Sequence, residues 1–179
     1  MNILNKEQIR KYFSFSIAFI FLLGTLLHFT YDWLSENKFV AIFSSINEST
    51  WEHLKLIYFP MLLSTIIGFF HFRKMIPNFL CSKVIGILIA IGFTVVFFYT
   101  YAGILGKNIP AIDIASFFIS TSLGEFVAYT LIVNKYKCSN KAYLVILILI
   151  FLSFVIFTFH TPKIGLFKDP VTGIYGITE

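Results

Sequence analysis

The stretch Asn47-Glu48-Ser49-Thr50-Trp51-Glu52-His53-Leu54-Lys55 sets two carboxylates, a histidine and a lysine directly before the apolar run Leu56-Ile57-Tyr58-Phe59-Pro60. Histidine and carboxylate form a ligand set for a transition metal, and they are also the groups that general acid–base chemistry uses. Glu48 and Glu52 are four residues apart and would share a helix face, with His53 about 100° round the helix from Glu52. His28 and Asp32 are likewise four apart, with Thr25 one turn below, so Asp32 is expected to orient the His28 imidazole. Ser153 and His160 are seven apart and share a face of a later helix. The residues that could act catalytically are therefore His28, Asp32, Glu48, Glu52, His53, His160 and Asp169. The metal-ligand set is His28, Glu48, Glu52, His53 and His160, and a divalent metal is the cofactor such a set would take. The spacing is neither H-E-x-x-H nor the E-x-x-H of di-iron bundles.

A purely structural reading competes. Ser49-Thr50-Trp51-Glu52 fits a capping box, in which the serine side chain caps the third helical amide and Glu52 reaches back to the cap amide. Trp51 and Tyr31 suit an interfacial aromatic belt, and Lys55 could snorkel to the membrane surface. A third reading makes the motif a docking epitope for a partner.

These residues sit in a chain of 179 residues that is 58% hydrophobic and only 13% charged, with 23 phenylalanines. Its mean hydropathy is +0.83. A soluble fold of this length has too little interior for so much apolar surface, and the apolar residues come in long unbroken runs. The class expected is all-α integral membrane, a single membrane domain over 1–179. The net charge of +5 comes from short loop clusters, without the basic groove or aromatic interleaving that would suggest nucleic acid.

The spans expected are 12–31, 54–72, 84–101, 111–133 and 142–159, with a tail over 160–179. The first follows a basic leader, but its length and bulky end argue against a cleaved signal peptide. Pro60 predicts a kink or a late start in the second span. The segment 39–46 is too short to cross and is expected to be interfacial or re-entrant. Gly86 and Ala90 offer a small face for close helix packing. With the N-terminus inside and the C-terminus outside, nine of the 14 basic residues lie on the cytoplasmic side, among them Lys83. Cys81 and Cys138 fall there too, where thiols stay reduced, so no disulfide is expected. Seven acidic residues (Asp32, Glu36, Glu48, Glu52, Asp113, Asp169 and Glu179) and three of the four histidines fall at the outer end, where His28, His53 and His160 end or open three different helices. Glu125 lies deep in the fourth span, as an ion or proton site or as a neutral acid bonded to a Tyr or Ser across helices; Thr121 and Tyr129 share its face.

The chain resembles an uncharacterised family of small bacterial multi-pass membrane proteins. The resemblance rests on His28-Phe29-Thr30-Tyr31-Asp32-Trp33, on the central motif with Phe59-Pro60, on Tyr101-Ala102-Gly103-Ile104-Leu105-Gly106, and on Leu166 to Gly176. It implies a membrane fold in the bacterial plasma membrane and carries over no catalytic residue. The sequence contains no nucleophile elbow or phosphate loop. A non-enzymatic binding, transport or accessory-subunit role is therefore favoured. The alternative is a metal-assisted hydrolase or transferase acting on lipid-linked substrate at the outer leaflet. The expected partners are the lipid bilayer and either a membrane-protein partner or a second copy of the chain; nucleic acid is not expected.

Overall fold

The computed structural model describes residues 3–177, so Glu179 of the acidic outer set and Met1-Asn2 of the leader lie outside the described residues. Five α-helices follow one another: α1 (Ile3–Trp33), α2 (Thr50–Phe72), α3 (Phe79–Leu105), α4 (Pro110–Val133) and α5 (Asn140–Phe159). Each is long and apolar enough to cross a membrane. Among the described residues there is no strand, only one bridge between Lys168 and Tyr175 in the tail. The helices outrun the apolar runs that announce them, because cap and first-turn residues are polar yet helical.

α2 shows this best. It starts at Thr50, capped by the Ser49 side chain, and runs unbroken through Pro60, so the late start expected there does not occur. Proline cannot donate to the carbonyl of Leu56. That carbonyl lies against α1 at Gly24, where an added Cβ would come within 2.7 Å of it.

α3 and α4 share the most extensive helix contact. Gly86 and Ala90 meet Gly124 and Ala128, and a Cβ on either glycine would overlap the other's carbonyl oxygen. This is the small-residue packing expected of Gly86 and Ala90, since without side chains the backbones gain dispersion contact that lipid does not offer.

Beside that contact lies a buried ion pair. Lys83 Nζ donates to Glu125 Oε1 at 2.5 Å, and both side chains are fully buried. The ammonium also approaches the Ser16 and Ser64 hydroxyls at 3.4 Å and lies over the rings of Tyr12 and Phe13. Lys83 is therefore not a loop cation at the membrane edge. α3 begins at Phe79, one turn before the apolar run, and that turn points Lys83 inward. Glu125 has a lysine for a partner instead of a Tyr or Ser; Thr121 bonds its own helix, and Tyr129 packs on Phe13.

At the same end the turn after α2 and the loop after α4 are tied together by Asn140, which accepts from Cys81 N–H and donates to Pro77 O. Cys81 and Cys138 are joined there as a disulfide, with Cα atoms 6.3 Å apart. The expectation of two free thiols came from compartment alone and could not see that two short connections converge.

At the opposite end, segment 39–46 forms a single 3-10 turn (Val40–Ile42) folded back over α1. The Ser44 hydroxyl bonds Leu27 O and accepts from Tyr31 N–H.

Candidate metal centre at the end of the bundle

α1 carries His28 five residues before its end, α2 carries His53 in its first turn, and Glu48 stands in the loop just before Ser49. The Ser49 carbonyl receives His53 Nδ1 at 3.0 Å. A carbonyl only accepts, so Nδ1 holds a proton, which leaves Nε2 as the nitrogen that would bind an ion. Nε2 of His53 lies 3.4 Å from Glu48 Oε2, and Nε2 of His28 lies 3.8 Å from Glu48 Oε1. Both separations exceed the roughly 2.7–3.2 Å of an N–H···O hydrogen bond. They suit neighbouring ligands of one ion, since tetrahedral bonds of about 2.0–2.1 Å place ligand atoms about 3.3 Å apart. One ligand atom from each of the three residues lies within 4.8 Å of the others. His28 Nδ1 is buried without a hydrogen-bond partner.

The three residues line one end of a cavity of about 470 Å³ walled by α1, α2, α3 and α4. Asp113, in the first turn of α4, also lines it. Tyr101 donates its hydroxyl proton to Asp113 Oδ1, and the same hydroxyl oxygen accepts from Ile109 N–H. Asp113 was grouped with the outer acids on sequence but given no role. Its place one turn after Pro110, at the end that bears the histidines, was the signal that could have singled it out.

Other expected members of the site are elsewhere. Glu52 is buried, and its Oε2 accepts from Lys55 Nζ at 2.6 Å and from Ile46 N–H at 3.1 Å. It is a clamp, not a ligand, and it does not reach the cap amide of Ser49, which bonds Asn47 Oδ1. Lys55 does not snorkel: its fully buried ammonium also donates to Ala41 O at 2.8 Å. Asp32 is exposed and makes no hydrogen bond to His28, whose orphan nitrogen it was expected to hold. His160 is exposed at the end of α5 and outside the triad. Trp51 packs between Phe154 and Phe167, at 4.7 Å from each, rather than facing a membrane surface.

The tail folds over this end. Phe167 is buried on Trp51, and Asn47 donates to Gly176 O at 3.3 Å. Asp169 organises the turn, with Oδ1 accepting from Val171 and Thr172 N–H at 2.7 and 3.2 Å. It is not a free ligand. Burial raises its pKa, but bonds from Val171, Thr172 and the Glu48 backbone outweigh that and hold it below the usual carboxylate range. A depressed folded pKa means that the turn's contribution is complete above the unfolded value of about 3.9 and is lost as pH falls through the lower folded value. Trp51 fluorescence should therefore shift below about pH 4 in the parent as the tail lifts. Asp169→Asn, with no charge to titrate, should show no such transition; an identical acid transition in both would remove Asp169 as its cause.

No curated protein and no solved structure matches the chain. One family model does, along residues 1–177, so the five-helix chain belongs to DUF6512, a family of unknown function.

Proposed function

We propose that this multi-pass membrane protein is a metal-assisted hydrolase or transferase whose divalent ion is held by His28, Glu48 and His53. The observation that carries the reading is the approach of three ligand atoms to within 4.8 Å of one another at the end of a cavity large enough for a small substrate. Three protein ligands with an open position facing a pocket are the pattern of catalytic zinc sites, whereas structural sites close all four positions. The ion would supply a water acidic enough to ionise near neutral pH. Asp113, in the cavity wall, would take up the proton released as water adds to the carbonyl carbon or phosphorus of an ester, and would return it to the oxygen that leaves. Tyr101 holds Asp113 in place for the transfer.

The non-enzymatic role favoured on sequence grounds keeps one supporting observation: the Glu48 side chain is 49% exposed, as suits a site that loads and releases an ion as cargo. Orientation is part of the proposal. With Lys83 and Lys55 both buried, eight other basic residues lie at the N-terminal end of α1 and four at the triad end, which supports N-in, C-out.

Elemental analysis of the detergent-purified protein tests the site. One zinc, manganese or iron per chain is expected, and His53→Ala should lower affinity by more than the roughly 10–100-fold seen for supporting partners, with helical content unchanged. A folded parent that takes up no zinc on titration would overturn the reading.

A further inference from the structure

The cavity beside the triad is polar at the triad and at Asp113, and largely apolar elsewhere, with Leu56, Ile57, Phe98 and Phe117 in its wall. Four further polar residues line it: Thr50 at the start of α2, Asn108 in the loop before α4, and Thr25 and Thr94. The hydroxyl protons of Thr25 and Thr94 are already used, donated to Phe21 O and Ala90 O of their own helices at 2.8 and 3.0 Å. The cavity also has an edge that no helix covers. Phe29 on α1 and Ile114 and Phe118 on α4 line it while remaining 44%, 60% and 37% exposed. Below this edge Phe21 packs on Phe117 and on Phe118, the latter with ring centroids 4.5 Å apart, and closes the gap between the two helices. Gly24 lies nine residues before the end of α1, and Phe118 eight after the start of α4. The cavity therefore reaches about 12–14 Å down the helices, nearly half of a hydrocarbon core of about 30 Å.

We infer that the substrate is a membrane lipid, which enters sideways between α1 and α4, lays one apolar chain against Phe98 and Phe117, and brings an ester or phosphate oxygen of its headgroup to His28, Glu48 and His53. The inference rests on the metal reading for the headgroup and on the cavity alone for the chain. A water-soluble substrate would have no use for an apolar cavity open at the side. A lipid needs such an opening, because its chain cannot leave the bilayer to enter from above. Val171 of the tail also lines the cavity.

The test uses the full chain in phosphatidylglycerol–phosphatidylethanolamine vesicles, with a lysophospholipid carrying a diazirine at the end of its acyl chain, photolysed with and without zinc. Labelling is expected on Phe98 or Phe117, stronger with zinc, and lost in Ile114→Trp, which fills the lateral opening at an exposed position. Zinc content should be unchanged in that variant. Labelling of Phe98 or Phe117 that ignores zinc but is still lost in Ile114→Trp would uphold the lipid inference and count against the metal reading. Labelling confined to outward-facing residues such as Ile148 and Leu149 of α5, equal in parent and variant, would overturn the lipid inference while leaving the metal reading standing.

Discussion

Lys83→Met and Glu125→Leu, made singly, should each destabilise the protein by about 3–5 kcal/mol, and together by far less. The pair is fully buried among α1, α2, α3 and α4, where neither charge can reach water. Removing one partner strands the other charge in an apolar bundle, whereas removing both leaves side chains of similar volume and no charge. The surrounding hydroxyls would survive the double change, because Ser16 and Ser64 already bond each other at 2.5 Å and Tyr12 bonds Ser64 O at 2.9 Å. Unfolding in detergent, read by helical content, checks this as a double-mutant cycle. Single variants as stable as the parent would mean that the pair is neutral or hydrated. Glu125 Oε2 has no hydrogen-bond partner, so Glu125→Gln should cost less than Glu125→Leu: the amide keeps one acceptor for the lysine.

Glu52→Ala should also cost about 3–5 kcal/mol, and it should weaken metal binding without removing a ligand. Glu52 and Lys55 are one turn apart on α2, yet their joint work is on the segment before it. The carboxylate holds Ile46 N–H and the ammonium holds Ala41 O, pinning residues 41–46 to the start of the helix. Glu48 follows two residues after Ile46, so its position inherits that restraint. Thermal midpoint and zinc affinity should therefore fall together in Glu52→Ala and in Lys55→Met, whereas in His53→Ala affinity falls with the midpoint little changed. Glu52→Ala with full stability and no metal would reverse the assignment and restore Glu52 as a ligand.

The difference between Glu48 and Glu52 shows what the sequence could and could not reveal. Both stand in one motif at helical spacing, and spacing alone makes them equivalent. They separate because the helix starts at Thr50: Glu48 is left in the loop near the histidines, and Glu52 turns into the bundle. The five helices were legible because lipid demands about 20 apolar residues per span. Convergence of His28 and His53 was legible from their places at the same end of two spans. Inward and outward faces were not, since a helix apolar on both sides has no periodicity to read. Only a polar residue inside a span marks a face. Glu125 did so, but its partner was hidden because Lys83 lay just before the apolar run and read as a loop cation.

Gly86 and Gly124 press backbone to backbone within a turn of the Lys83–Glu125 pair, which makes α3 and α4 a unit of insertion as well as of packing. α3 alone carries an unpaired ammonium near its start and α4 alone an unpaired carboxylate, a charge that costs about 2.5–3.5 kcal/mol on insertion scales at the centre of a span and less toward its ends. Joined by the short loop 106–109, they enter as a helical hairpin whose charges cancel as the backbones meet. The order of synthesis then matters: the third span gains its full preference for lipid only once the fourth has been made.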